Sequence, residues 1–281
     1  MVEKFTPQEL KKLFRPTSES SGEDNGQVTI IGGSSLFHGA PLLALKVASR
    51  IVDMVFFASP EPSVGRVAEQ LKSKLSSFIW VPWEEVEDYI AKSDAVLIGP
   101  GFMRFRSEKV PRSQRSGGYD ETAKVSRDIT ERLLKKFSKK RWVIDAGSLQ
   151  VMDADWIPKG AILTPNKKEF ELLFGKMDAQ AAAKRRGCII VQKGPTTLVC
   201  EEDKCAEISN GNAGLTKGGT GDVMAGLAVA LLAKNDSFLA AAASSYITKA
   251  TGDELYASRG TNYSADELAD KIPEVLFNLT K

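Results

Sequence analysis

Asp222 closes the stretch Asn212-Ala213-Gly214-Leu215-Thr216-Lys217-Gly218-Gly219-Thr220-Gly221-Asp222 and opens an apolar run, Val223 to Leu232. The run reads as a helix. Glycines let backbone N–H groups turn towards a ligand without interference from a Cβ. A helix N-terminus adds partial positive charge to those donors. The stretch is therefore suited to an anion, phosphate above all, with Asn212, Gly218, Gly219, Thr220 and Gly221 as candidates to hold it. A carboxylate beside a phosphate nest is repelled by it, so Asp222 has two readings. It is a plain helix N-cap, or a base aimed at a hydroxyl next to the phosphate.

The rest of the composition narrows the chemistry. The chain has a single histidine, His38, so a Ser-His-Asp triad or a multi-histidine metal site has little material. Acid–base work falls on Asp, Glu, Lys or backbone dipoles. Cys188, Cys200 and Cys205 lack metal-ligand spacing; they are read as giving neither a zinc site nor a disulfide framework, which fits a reducing cytosol. A formal net charge of +2 points to no nucleic-acid partner. No apolar run reaches the roughly 18 residues of a membrane span, and MVEKFTPQELKKLF lacks the apolar core of a signal peptide. A cytoplasmic protein is expected.

The elements that must position these residues alternate. Strands are expected at Val28 to Ile31, Met54 to Ala58, Phe78 to Val81, Ala95 to Ile98, Trp142 to Asp145, Ala161 to Leu163, Cys188 to Gln192, Thr197 to Cys200 and Cys205 to Ile208. Helices are expected at Pro41 to Val52, Val64 to Leu75, Glu84 to Ala91, Asp120 to Phe137, Lys167 to Phe174, Ala179 to Arg186, Asp222 to Ala233, Ser237 to Leu255 and Ala265 to Leu279. Such alternation means βαβ units and an α/β fold, with a mainly parallel sheet covered on both faces. Residues 1–27 read as a short helix, with a Thr6/Glu9 capping box and Pro7 in its first turn, followed by a polar linker from Arg15 to Gly26. Residues 28–281 read as one catalytic domain. Gly32-Gly33-Ser34-Ser35, Gly99-Pro100-Gly101, Asp145, Thr164-Pro165-Asn166 and Lys193-Gly194 all follow strand C-terminal ends, the edge where open α/β sheets bind ligands. Between Arg104 and Arg127 lie seven Arg and Lys, either a solvated surface loop or a flap that closes over an anionic ligand.

The blocks GGSSLFHGAPLLA, DAVLIGPGF, VIDAGSLQ, ILTPNKKEFELLFG, VQKGPTTLV and NGNAGLTKGGTGDVMAGLAVALL resemble the ADP/ATP-dependent NAD(P)H-hydrate dehydratases of the ribokinase-like superfamily. The resemblance covers roughly Val28 to Leu279. Gly-Gly-Thr-Gly-Asp is specific only to the superfamily; the Gly-Gly-Ser…Gly-Ala-Pro block with Thr-Pro-Asn…Glu-Phe selects the dehydratase branch. No epimerase domain of the kind fused to some members is expected ahead of it. The resemblance implies a three-layer α/β/α ribokinase-like fold and a hydro-lyase that repairs hydrated NADH or NADPH (NADHX or NADPHX). ADP or ATP is the implied co-substrate and Mg²⁺ the implied ion. The nucleotide phosphorylates the ring hydroxyl and phosphate then departs, a first step akin to phosphoryl transfer to an alcohol. Relatives also form homo-oligomers, for which the apolar helices here could supply an interface.

Residue by residue, Asp222 matches the family's catalytic aspartate, and Gly219, Thr220 and Gly221 its phosphoryl donors, with tight helix packing as the alternative. Lys193, Gly194, Pro195, Thr196 and Thr197 match the nucleotide-binding block, although Lys193 also fits a surface charge. Ala40 and Gly101 match dinucleotide contacts; Ala40 equally fits packing. Asn166 stands where relatives have histidine or asparagine and fits both a substrate contact and an N-cap. Glu169 fits both a capping box and a hold on Mg²⁺ through water. His38 fits a ligand contact or an exposed loop. Three positions depart from the family pattern: Asp145-Ala146-Gly147 replaces Asp-Ala-Asp, Phe102-Met103 replaces Leu-Gly, and Phe37 replaces an aromatic with a hydroxyl. Two competing readings use the same nest: a ribokinase-like kinase of a vitamin alcohol or sugar, and a nucleotide-binding protein without chemistry.

Overall fold

A computed structural model describes residues 2–105 and 118–281. The basic segment read above as a loop or flap lies largely outside the described residues. Ten strands form one sheet: β1 (Val2–Lys4), β2 (Gln27–Ile31), β3 (Met54–Ala58), β4 (Ile79–Trp80), β5 (Ala95–Ile98), β6 (Arg141–Ile144), β7 (Ile162–Leu163), β8 (Ile189–Gln192), β9 (Thr197–Cys200) and β10 (Cys205–Ile208). Their spatial order is β1-β10-β9-β8-β7-β6-β5-β2-β3-β4. Every pairing is parallel except those of β9, which runs antiparallel to β8 and β10.

The helices are α1 (Gly39–Ala48), α2 (Pro62–Leu71), α3 (Val86–Lys92), α4 (Gly118–Lys136), α5 (Ala146–Val151), α6 (Lys167–Phe174), α7 (Ala179–Arg186), α8 (Thr220–Leu232), α9 (Ser237–Arg259) and α10 (Ala265–Thr280). They lie in two layers. Successive strand residues point to opposite faces. Ala95 and Leu97 of β5 therefore join the core shared with α1, α2, α8, α9 and α10, while Val96 and Ile98 join the core shared with α3 to α7. Both faces are buried, so the strands read as continuous apolar runs. In α8, Val223 to Leu232 are all buried, which explains a helix apolar all round. Among the described residues, no helix is long and apolar enough to cross a membrane.

Four features differ from the sequence reading. The tail supplies an edge strand, with Val2 opposite Cys205, and Leu10 is fully buried in the core. The Pro7–Lys12 turn is a 3-10 helix whose N-cap, Thr6, makes no side-chain cap bond, so the expected capping box is absent there. Cys200 and Cys205 are joined in a disulfide with a Cα–Cα distance of 4.2 Å, where the sequence reading expected no disulfide framework. The two cysteines stand directly opposite each other across the β9–β10 pair, so hairpin register brings the thiols together. Finally, the segment after β6 folds into the short helix α5.

The chain order around the sheet places the site. From β2 it winds outward through β3 and β4, then returns to β5 on β2's other side. That reversal is a topological switch point, where loops diverge and leave a crevice at the strands' C-terminal ends. The loops after β2 and β5 meet there, with the Gly33 N–H donating to the Pro100 carbonyl at 2.8 Å.

Candidate active site

The N-terminus of α8 faces the C-terminal ends of the central strands. Gly219 is its N-cap, with φ 94, a left-handed conformation that glycine adopts without strain. A side chain there would also come within 2.5 Å of Leu43 Cδ1 and 2.9 Å of Ala265 Cβ. The loop ahead of the helix is tied down by its own side chains. Asn212 Oδ1 accepts from Gly214 N and Tyr263 OH, both at 2.9 Å. The Thr220 hydroxyl donates to the carbonyls of Leu215, at 2.7 Å, and Lys217, at 2.9 Å. Lys217 Nζ donates to the carbonyls of Thr261 and Tyr263. With those side chains occupied, and with the Thr220 N–H turned to the Lys217 carbonyl at 3.4 Å, the N–H groups of Gly219 and Gly221 are the ones at this helix start left for an anion.

Across from Asp222 lie Asp145, Glu169 and Lys193, whose charges act on one another and on Asp222. Asp145 sits in extended backbone just past β6 and is followed by Ala146 in a left-handed conformation, φ 48, which turns the chain sharply into α5. Its buried carboxylate accepts from Lys193 Nζ at 2.9 Å and from Thr164 Oγ1 at 2.7 Å, both through Oδ1. A Cβ on Gly221 would lie 3.4 Å from Lys193 Nζ, so the ammonium bridges the β6 carboxylate to the first turn of α8. Glu169 is buried. Its Oε1 accepts from Gln150 Nε2 and its Oε2 from the Asn166 N–H, both at 2.8 Å.

These environments displace the protonation equilibria. Burial, then the negative charge of Asp145, pushes the Asp222 carboxyl up to about 7, against the pull of Lys193. Burial also raises Glu169. Burial alone would lower the Lys193 ammonium, but Asp145, Glu169 and Asp222 together carry it above its ordinary value. A carboxylate poised near neutral pH beside a helix N-terminus and a lysine can accept a proton from an alcohol while the same surface holds a phosphoryl group.

The other sequence candidates divide. Gly194, Pro195 and Thr196 are exposed at the β8–β9 turn and line a cleft of about 790 Å³ with Lys167, Phe170 and Gln192. Thr197 is buried and its hydroxyl turns back to the Gly194 carbonyl at 3.4 Å. Gly218 faces open space. Asn212 is committed to internal partners, its Nδ2 donating to Asp253 Oδ1 at 2.9 Å. Asn166 and Glu169 form a reciprocal capping box on α6. Ala40 is half-buried in the first turn of α1. Gly101 (φ 75) is buried where a Cβ would meet the Phe37 carbonyl at 2.6 Å, so it lets two loops close on each other. His38 Nε2 lies 3.0 Å from Ser63 Oγ, which gives its own proton to Glu61 Oε1 at 2.7 Å.

Sequence reading passed over Thr164 and Gln150 as partners. Thr164 carried a signal, since it follows a strand end; Gln150 did not, since α5 was not anticipated. Gly147, one departure from the family pattern, packs against the backbone of another, Phe102. A Cβ there would lie 2.3 Å from the Phe102 carbonyl oxygen, so the Phe102 backbone fills the space that an acid would need.

Residues 28–274 match the family model described as NAD(P)H-hydrate dehydratase. The chain belongs to the NAD(P)H-hydrate dehydratase family. It is 34% identical over 282 residues to a bifunctional NAD(P)H-hydrate repair enzyme of Methanocaldococcus jannaschii, covering 95% of this chain and 51% of that protein. The chain spans about half the length of such bifunctional relatives. It is 28% identical to an ADP-dependent (S)-NAD(P)H-hydrate dehydratase of Cenarchaeum symbiosum, covering 98% of this chain and 94% of that one. Its fold is that of the Bacillus subtilis ADP/ATP-dependent NAD(P)H-hydrate dehydratase co-crystallized with ATP/Mg²⁺, with a TM-score of 0.77 at 22% identity and 99% of each chain covered. The family assignment disfavours the small-molecule kinase and the non-catalytic reading.

Proposed function

We propose that this chain restores NADH and NADPH from their hydrates at the expense of ADP or ATP. The observation that carries the reading is Asp222, a carboxylate raised to about 7 in the first turn of α8 and beside the Lys193–Asp145 ion pair. The names of full-length relatives such as the Cenarchaeum symbiosum dehydratase support the substrate class.

In this mechanism the terminal phosphoryl group lies against the N–H groups of Gly219 and Gly221. Asp222 takes the proton of the ring hydroxyl as its oxygen bonds to phosphorus and the nucleotide's phosphoanhydride bond breaks. The phosphorylated hydroxyl then departs as phosphate. The ring nitrogen's electron pair assists, a neighbouring carbon loses a proton, and the ring double bond returns. Lys193 holds negative charge at the transferring group and, through Asp145, stays fixed to the sheet. Gly194, Pro195 and Thr196 take the nucleotide side of the cleft, and Ala40 and Gly101 border the dinucleotide side.

The residues present fit Mg²⁺. Three carboxylates face one ammonium, an excess of negative charge that a divalent cation offsets. A magnesium ion keeps several waters and binds through one or two carboxylates plus phosphates. Glu169 and Asp145 would hold it through water, and it would neutralise charge on the phosphates.

The test is incubation with hydrated NADH or NADPH, Mg²⁺ and either ADP or ATP, following recovery of dihydronicotinamide absorbance. Recovery that needs nucleotide supports the reading. No consumption of hydrate with either nucleotide ends it.

A further inference from the structure

One face of α9 reaches both loops that border the nucleotide side of the cleft. Lys249 is buried, at 8% exposure, and its ammonium donates to three carbonyls: Gly194 at 3.1 Å, Pro195 at 2.6 Å and Ile208 at 3.2 Å. Those contacts use all three of its N–H donors. Two of the carbonyls belong to the β8–β9 turn and the third ends β10. One helical turn further on, Asp253 accepts from the Gly211 N–H at 2.8 Å and from Asn212 Nδ2 at 2.9 Å. One turn earlier, the Tyr246 carbonyl accepts from Asn210 Nδ2 at 3.2 Å. Residues spaced by three and four share a helix face, so a single stripe of α9 grips residues 194–195 on one side and 208–212 on the other.

The polarity of the grip is matched to what it holds. The cation meets carbonyls and the anion meets N–H groups, so neither the buried ammonium nor the half-buried carboxylate is left unpaired. The packing is equally close. A Cβ on Gly211 would lie 3.0 Å from Lys249 Cγ, and one on Gly252 would lie 2.9 Å from Leu215 Cδ2. From Asn212 the connection continues to the Gly214 N–H and the Tyr263 hydroxyl, in the short stretch that runs into Gly219 and α8. Neither Lys249 nor Asp253 lines the cleft beside Lys193. Both stand behind the loops that do the holding.

We propose that Lys249 and Asp253 are positioning residues for the nucleotide: they lock the β8–β9 turn and the loop leading to α8 into one cradle of fixed spacing. The inference rests on the proposed nucleotide-dependent activity and deepens it, because it assigns the rigidity of the nucleotide half of the site to a helix that does not touch the nucleotide.

The experiment compares wild type, Lys249→Met and Asp253→Asn. Methionine keeps the aliphatic stem and removes the ammonium. Asparagine turns one acceptor into a donor facing the Asn212 amide, a milder change should Lys249→Met fail to fold. In folded variants the dissociation constant and KM for ADP or ATP should rise on the order of tenfold, the scale seen when a group that orients a binding residue is lost. The KM for the hydrate and kcat at saturating nucleotide should stay within about twofold. Hydrogen exchange without nucleotide should quicken at residues 194–197 and 210–216 together. Lys249→Gln, which keeps two donors, should recover part of the affinity. Unchanged nucleotide affinity in folded variants overturns the proposal, as does equal loss in both KM values and kcat. If wild type binds neither ADP nor ATP, the proposed function is what fails. Exchange at the two loops then still decides the strap: equal protection in wild type and Lys249→Met refutes it.

Discussion

The Nζ of Lys193 lies 2.9 Å from Oδ1 of Asp145, joining the end of β8 to the end of β6 across the intervening β7. This pair sets the charge of the site. The charges of Asp145, Glu169 and Asp222 all act on that ammonium, and one cation does not balance three carboxylates. Burial and the charge of Asp145 push Asp222, in the first turn of α8, up to about 7.

That raised carboxyl has a signature in stability. Its ordinary value is 3.8 and its folded value is about 7, so between those limits the folded chain binds a proton that the unfolded chain has released. Stability linked to that proton is complete below about pH 4 and is lost as pH rises through about 7. Asp222→Asn, a neutral isostere, should therefore be more stable than wild type at about pH 8. The gain is on the order of 2 kcal/mol once the full shift is discounted for partial exposure, or a few degrees in Tm. It should vanish towards pH 4, while hydrate turnover falls at least about a hundredfold. Thermal melts of both proteins across that range decide it; a variant less stable than wild type at high pH would contradict the linkage.

Lys193 and Asp145 should move the acid limb of the activity profile in opposite directions. Asp145 raises the Asp222 carboxyl and Lys193 lowers it. Lys193→Met should shift the limb of kcat/KM to higher pH, and Asp145→Asn to lower pH, each by about half a unit to one unit. Both variants should lose rate as well, because each unpins the other's partner. Profiles taken at saturating nucleotide report the limb separately from binding. Shifts in the same direction would mean that the limb belongs to some other group.

The sheet was legible because parallel strands buried on both faces are unbroken apolar runs, and β5, β8 and β9 were read within a residue of their observed bounds. The convergence of Asp145, Lys193 and the start of α8 was legible because polar and glycine residues gather at strand ends. What escaped depends on tertiary context. Val2–Lys4 becomes a strand only by pairing with β10. Helix α5 begins at a left-handed alanine, which no apolar period announces. Asn212 carries the right type for a ligand contact, and only the fold shows that its amide also accepts from Gly214 and Tyr263 and donates to Asp253. The cysteine pair did carry a signal. Two strands separated by four residues, with a cysteine at each inner end, form a hairpin that sets the thiols opposite each other.

Because the Cys200–Cys205 disulfide closes a loop with a sequence separation of 5, its effect on the unfolded chain is small. The chain-entropy relation gives roughly 2 kcal/mol for so short a loop. The Cys200→Ser/Cys205→Ser double variant should lose about that much stability and keep its hydrate turnover, since the hairpin edge lies away from Asp222. Urea midpoints with and without a thiol reductant check this. Reductant should lower the wild-type midpoint to that of the double variant and leave the variant unmoved. A variant insensitive at the midpoint but inactive would tie the disulfide to the site instead.

Restoring an acid at position 147 should fail for a reason of backbone geometry. A Cβ on Gly147 would come within 2.3 Å of the Phe102 carbonyl oxygen and 2.7 Å of its carbonyl carbon and Cβ. Every one of those atoms is present in alanine as well as phenylalanine. Gly147→Asp should therefore destabilise by on the order of 2 kcal/mol or more, and Gly147→Ala by nearly as much, because the first carbon already collides. Phe102→Ala should give no rescue in either background. If the obstacle were the ring alone, the Phe102→Ala/Gly147→Asp pair would recover the midpoint of Phe102→Ala by itself. Denaturant midpoints for the two single and two double variants separate these cases. A Gly147→Ala midpoint equivalent to wild type within roughly 0.5 kcal/mol would show that the loop after β5 yields, and the close approach of Phe102 would no longer explain why glycine stands there.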